Sequence, residues 1–233
     1  MKRVSRKPSN LSESLHRQLN SYALAASAAG VSLLAAAQTT EAKVVYTAAH
    51  HIIRPNSQYK IDLGNNGVAD VVIVDKFSCT PRCLGLVFVT GSAGGSFVGG
   101  QLDPDPLPLR KGATIGGSRK FWTNSGTMAQ ASFLSGGTFS SRGEWANVTN
   151  RYLGIRFTLN HQRHYGWARL SVRISDSTAK ITTILDGYAY ETVPDKKIIA
   201  GKTHGPDVIT VQDASLGHLA RGASAIPAWR GKQ

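Results

Sequence analysis

The run His164-Tyr165-Gly166-Trp167-Ala168-Arg169 gathers two aromatic rings and a guanidinium in one short stretch, with Arg156 and Arg173 close by in sequence. Aromatic faces stack on sugar rings and guanidinium forks grip carboxylates, so Tyr165, Trp167, Arg156 and Arg169 form a candidate site for a carbohydrate or an acidic glycan. The same residues can instead form a cation-π ladder that covers apolar surface, or lie under a neighbouring loop. A second candidate is "IDLGNNGVAD", Ile61 to Asp70, where Asp62, Asn65, Asn66 and Asp70 surround Gly67 in the manner of oxygen-rich calcium loops. Asn66-Gly67 between two strands is also a tight-turn signature that needs no ion, and only two carboxylates are present. The metal-free turn is the preferred expectation, with calcium as the one cofactor to consider.

Histidine supplies little more. His161 and His164 are three apart, and His50 and His51 are adjacent; strands send alternate residues to opposite faces, so neither pair makes a zinc site alone. No Gly-x-Ser-x-Gly elbow, cysteine-histidine pairing or convergent acid pair stands out for hydrolysis, and Glu144 and Glu191 are isolated. No catalytic residue is therefore assigned. Cys79 and Cys83 enclose Thr80-Pro81-Arg82 and are expected to pair as a disulfide that fixes a turn.

These residues must be carried by strands. From Lys43 onward, short apolar runs are bounded by Gly, Pro, Asn and Asp, which predicts strands at Val44–Thr47, Gln58–Leu63, Ala69–Phe77, Leu84–Val89, Tyr152–Leu159, His164–Ile174 and Ala179–Glu191. The 24 glycines and the 18% charged content also fit an all-β fold. The expected architecture is an antiparallel, jelly-roll-like β-sandwich over 43–201, preceded by a signal-peptide helix. Thr90 to Lys120, rich in Gly and Pro, reads as a long surface excursion with irregular strands around Phe97 and Ile115. In the hairpin, pairing Leu159 with His164 turns Leu153, Ile155, Phe157, Leu170 and Val172 to the core. Tyr165 and Trp167 then face outward, with Arg156 beside Trp167.

Residues 1–42 have the order of a secretory leader: Lys2, Arg3, Arg6 and Lys7, then apolar Tyr22 to Ala37, then small residues before Ala42. About sixteen apolar residues fall short of the roughly 20 that span a bilayer, so cleavage near Lys43 is expected, with a retained anchor as the alternative. A secreted or extracytoplasmic protein follows, and residues 202–233 read as a flexible or surface-lying tail. The net charge of +13 favours polyanionic partners, but the cations are scattered rather than clustered, so no nucleic-acid partner is expected. Acidic polysaccharide and envelope components are the partner classes that remain.

"RYLGIRFTLNHQRHYGWARLSV" and "ILDGYAYETVPDKKIIAGK" together resemble a block found in exported bacterial proteins that often carry PEP-CTERM sorting tails. The matching positions are His164 to Trp167, Ala189 to Pro194 and Ile199 to Gly201. The resemblance implies export and a β-rich extracellular domain, and brings no reaction with it. The tail "ASLGHLARGASAIPAWRGKQ" resembles a degenerate sorting segment without the Pro-Glu-Pro triplet. The leading expectation is a non-enzymatic envelope or matrix protein; the alternatives are a carbohydrate-binding module and a secreted hydrolase.

Overall fold

The computed structural model describes residues 43–134 and 137–212, so the expected signal-peptide helix and the last part of the expected tail lie outside the described residues. Among the described residues every regular element is a strand, and all pairings but one are antiparallel. In chain order the strands are β1 (Val44–Ile53), β2 (Gln58–Ile61), β3 (Val71–Cys79), β4 (Cys83–Gly91), β5 (Ser96–Val98), β6 (Thr114–Ile115) and β7 (Phe121–Trp122). They continue with β8 (Gly126–Phe133), β9 (Phe139–Arg142), β10 (Arg151–Leu159), β11 (Gln162–Ile174), β12 (Ile181–Glu191), β13 (Ile198–Ile199) and β14 (Val208–Gln212). A seven-stranded sheet has the order β14-β1-β12-β11-β10-β5-β7, a five-stranded sheet runs β2-β3-β4-β8-β9, and β13 pairs with β6.

The period-two pattern of β10 and β11 works as expected on one face. Leu153, Ile155, Phe157, Leu170 and Val172 share a core with Val71, Ile73, Val87 and Val89 of the five-stranded sheet. Each such buried side chain contributes roughly 1.5–3 kcal/mol. The hairpin turn is tighter than the expected span of 160–163: Asn160 and His161 alone make it, with φ of 50° and 62°, and Leu159 pairs with Gln162. Two consecutive positive φ values mark the tight turn that matches strand twist. The register therefore moves by two residues. Phe157 opposes His164, Arg156 opposes Tyr165, and Gly154 opposes Trp167. A shift of two leaves every side chain on its expected face, but it changes each cross-strand neighbour.

The other face of the hairpin is not outward. Tyr165 and Trp167 are buried in a second core with Tyr152, Leu109, Ile115 and Ile198. The Gly/Pro-rich stretch, expected as a surface excursion, supplies much of this cover through Val98, Leu109 and Ile115. The irregular strands expected around Phe97 and Ile115 are β5 and β6, while the isolated bridge Leu109–Tyr152 escaped the periodic pattern because it holds single residues rather than a run. The sheet also extends past residue 201, since β14 lies parallel to β1 from Val44–Val208 to Ala48–Gln212. Asp207 O accepts a hydrogen bond from Val44 N at 2.7 Å, which anchors the start of that contact.

Gly166 shows how closely the layers approach. A Cβ at this position would lie 2.3 Å from Leu63 Cδ2 and 2.6 Å from the Ala189 carbonyl oxygen. Gly166→Ala is therefore expected to destabilise the fold by about 1–3 kcal/mol, read as a lower urea midpoint with an unchanged slope.

Candidate functional site

The residues that sequence singled out in the hairpin are brought together, but inside the protein. Trp167 is 0% exposed, lies 5.2 Å edge-on from Tyr152, and stacks obliquely with Tyr46 at 5.9 Å. Tyr165 packs on Phe121 at 5.7 Å. Arg156 sits over the same Phe121 ring at 4.8 Å, and its Nε donates to Ser96 Oγ at 3.0 Å. Arg169 lies 3.6 Å from the Asp186 carboxylate. The indole is roofed, so these four residues present no open face on which a sugar could stack.

The Asp62–Asp70 loop joins β2 to β3, with Ile61 opposite Val71. The Asp62 carboxylate accepts N–H bonds from Asn66 at 3.2 Å and Gly67 at 2.7 Å, while Asn66 Oδ1 accepts from Val68 N at 2.9 Å. Asp70 Oδ2 accepts from Leu63 N at 2.8 Å. These oxygens brace the loop's own backbone, as Asx turns do. Asn65 and Gly67 supply its positive φ angles, 50° and 82°. Burial raises the Asp70 pKa to about 6; the Leu63 N–H lowers it and the Asp62 charge raises it further. Among the described residues no three His, Cys, Asp or Glu gather where they could hold a metal ion.

His50 and His51 are exposed on β1, where His51 stacks on Tyr59 at 4.3 Å. His161 is exposed in the hairpin turn. His164 is 4% exposed, and its Nδ1 lies 2.9 Å from Glu191 O. A carbonyl only accepts, so Nδ1 carries the proton there. Glu191 is buried too, its carboxylate bonded to Val193 N and 3.5 Å from Lys196 Nζ, while Glu144 is exposed. Cys79 and Cys83 oppose each other at the end of β3 and β4, with their sulfurs at disulfide distance.

The open surface lies on the opposite side of the molecule's inner core. Along the five-stranded sheet, Lys76 opposes Leu86, Leu86 opposes Gln130, and Gln130 opposes Arg142. One step along, Ser78, Leu84, Ser132 and Ser140 form a second row across the same four strands. Directly opposed residues share a face, and this one points away from the core that holds Ile73 and Val87. Three clefts of about 220, 350 and 250 Å³ line up along it. The first two share Gln130, and the second and third share Asn56 and Lys76. Five strands at about 4.8 Å spacing make this surface roughly 19 Å wide.

Lys76, Arg82 and Arg142 are the cations among the cleft residues, and the sole carboxylate, Asp75, belongs to the inward-facing set of β3. The outer face is therefore electropositive with an apolar middle at Leu84 and Leu86. Sequence reasoning missed it because β8 and β9 were missed: "GTMAQASF" alternates small residues, and a register shift between Val87 and Phe88 breaks its period. The polar positions of "QAS" and "SSR" were the available signal. No protein-family model matches this chain, and no curated protein or solved structure matches it either.

Proposed function

We propose that the protein is an exported, non-enzymatic, jelly-roll-like β-sandwich of the cell envelope or extracellular matrix, and that it works by binding polysaccharide across the outer face of its five-stranded sheet. The leader-like order of residues 1–42 and the resemblance of the hairpin block to exported bacterial proteins support export. One observation carries the binding role: the clefts that share Gln130, Asn56 and Lys76 form one groove across the sheet, while the aromatic hairpin is covered on both faces. A groove with polar walls and a leucine floor suits chains of sugars, whose rings have apolar faces and hydroxyl edges.

The test is a polysaccharide array probed with the full chain and with Leu86→Glu, a change of a half-buried side chain on the outer face. Retention on at least one polysaccharide is expected, falling roughly tenfold or more in the variant while its melting curve stays close to that of the parent. Retention that Leu86→Glu leaves untouched, or release of new reducing ends from the bound polymer, would defeat the proposal.

A further inference from the structure

We infer that the β8–β9 end of this groove is an oxyanion site, built by Arg82 and Arg142, that takes the acidic substituent of a charged polysaccharide. This rests on the binding role proposed above and names the class of ligand. Arg82 belongs to the loop closed by Cys79 and Cys83, so its backbone is tethered at the mouth of the 220 Å³ cleft. Its Nη2 donates to Ser132 Oγ at 2.7 Å. Arg142 comes from the edge strand β9, and its Nε and Nη2 both donate to Gln130 Oε1, at 3.0 and 2.6 Å.

Both guanidinium groups are thus oriented, and both by neutral acceptors. The ion pairs Arg163–Asp195, Arg169–Asp186, Lys196–Glu191 and Lys202–Asp207 involve neither of them among the described residues. Glu144, two residues from Arg142, does not line the cleft. A guanidinium carries five N–H donors, so these bonds leave about four on Arg82 and three on Arg142 for a ligand. Two forks of unneutralised charge beside the Ser132, Ser140 and Ser141 hydroxyls match the planar or tetrahedral oxygens of a carboxylate or sulfate. Beyond Gln130 the cleft floor turns apolar at Leu84 and Leu86. A sugar ring resting there reaches the arginines with its charged group, and that combination selects an acidic glycan over a free anion.

The experiment titrates the full chain with polygalacturonate, dextran sulfate and neutral dextran by calorimetry at two salt concentrations. Binding to at least one acidic polymer is expected, weaker at the higher salt. Arg82→Gln and Arg142→Gln should each weaken it roughly tenfold, with Arg142→Lys in between. Lys111→Gln, an exposed cation outside the cleft, should change it little. The two acidic polymers decide between carboxylate and sulfate. Equal losses in Lys111→Gln and the arginine variants would overturn the site in favour of diffuse charge attraction. Tight neutral-dextran binding indifferent to the arginines would overturn the oxyanion site but leave the groove. Silence toward all three polymers, joined to an empty polysaccharide array, would remove both.

Discussion

Trp167→Ala should lower the free energy of unfolding by about 3–5 kcal/mol, the range for emptying a buried aromatic site. The indole is fully buried between Tyr46 and Tyr152, and its neighbours are held by backbone bridges that resist collapse into the void. Among the described residues its Nε1–H finds no acceptor. Trp167→Phe should therefore lose less than the alanine variant, because it keeps most of the packing and removes an unsatisfied donor. Urea denaturation of the three proteins checks both expectations. Near-equal midpoints for the parent and Trp167→Ala would mean that the roof over this face is not packed as described.

The second large effect concerns Asp75. This side chain is 1% exposed, sits on the core face of β3, and has both carboxylate oxygens without a hydrogen-bond partner among the described residues. Burial pushes its pKa from 3.8 to about 7. A folded-state pKa above the unfolded value means that the folded protein holds the proton more tightly. The stabilisation is then fully present below about pH 4 and is lost as pH rises through 7. The interval corresponds to roughly 4 kcal/mol. Asp70, raised to about 6, acts in the same sense with a smaller span.

Asp195 and Asp207 oppose this trend, since hydrogen bonds from Arg163 and Lys202 hold them below the usual carboxylate range. Their contribution is lost only as the pH falls below about 4, and both are solvent-exposed and screened. Maximum stability is therefore expected on the mildly acidic side, near pH 4 to 5. Denaturant midpoints measured from pH 4 to 8 should fall steadily for the parent. Asp75→Asn should flatten most of that slope and be the more stable protein at pH 8. A parent midpoint that climbs over this range would contradict the burial of the carboxylate.

Strand content was legible wherever a run exceeded about seven residues with regular alternation, as in β3, β10, β11 and β12. The short strands β5 and β6 were expected only as irregular strands around Phe97 and Ile115, and β7 and β13 were illegible, because pairs of residues carry no period. The aromatic hairpin misled for a different reason. Alternation distinguishes two faces, but it does not tell whether the second meets water or another layer, and Tyr165 and Trp167 meet one. The arginine cleft was hidden by distance along the chain: Arg82 and Arg142 are 60 positions apart, and they meet through the pairings of β8 with β4 and β9.

The first described strand finds its partners last. β1 is wedged between β12 and β14, and Lys43 N donates to Thr192 Oγ1, 149 residues further on. Closing so large a loop precedes any reward from the contact, and sheets built this way form slowly. During synthesis the ribosome must deliver the chain through β14 before both sides of β1 can pair. Until then the backbone donors and acceptors of β1 are left to water, so the order of strands keeps this end of the chain pliable while the rest of the sheet assembles.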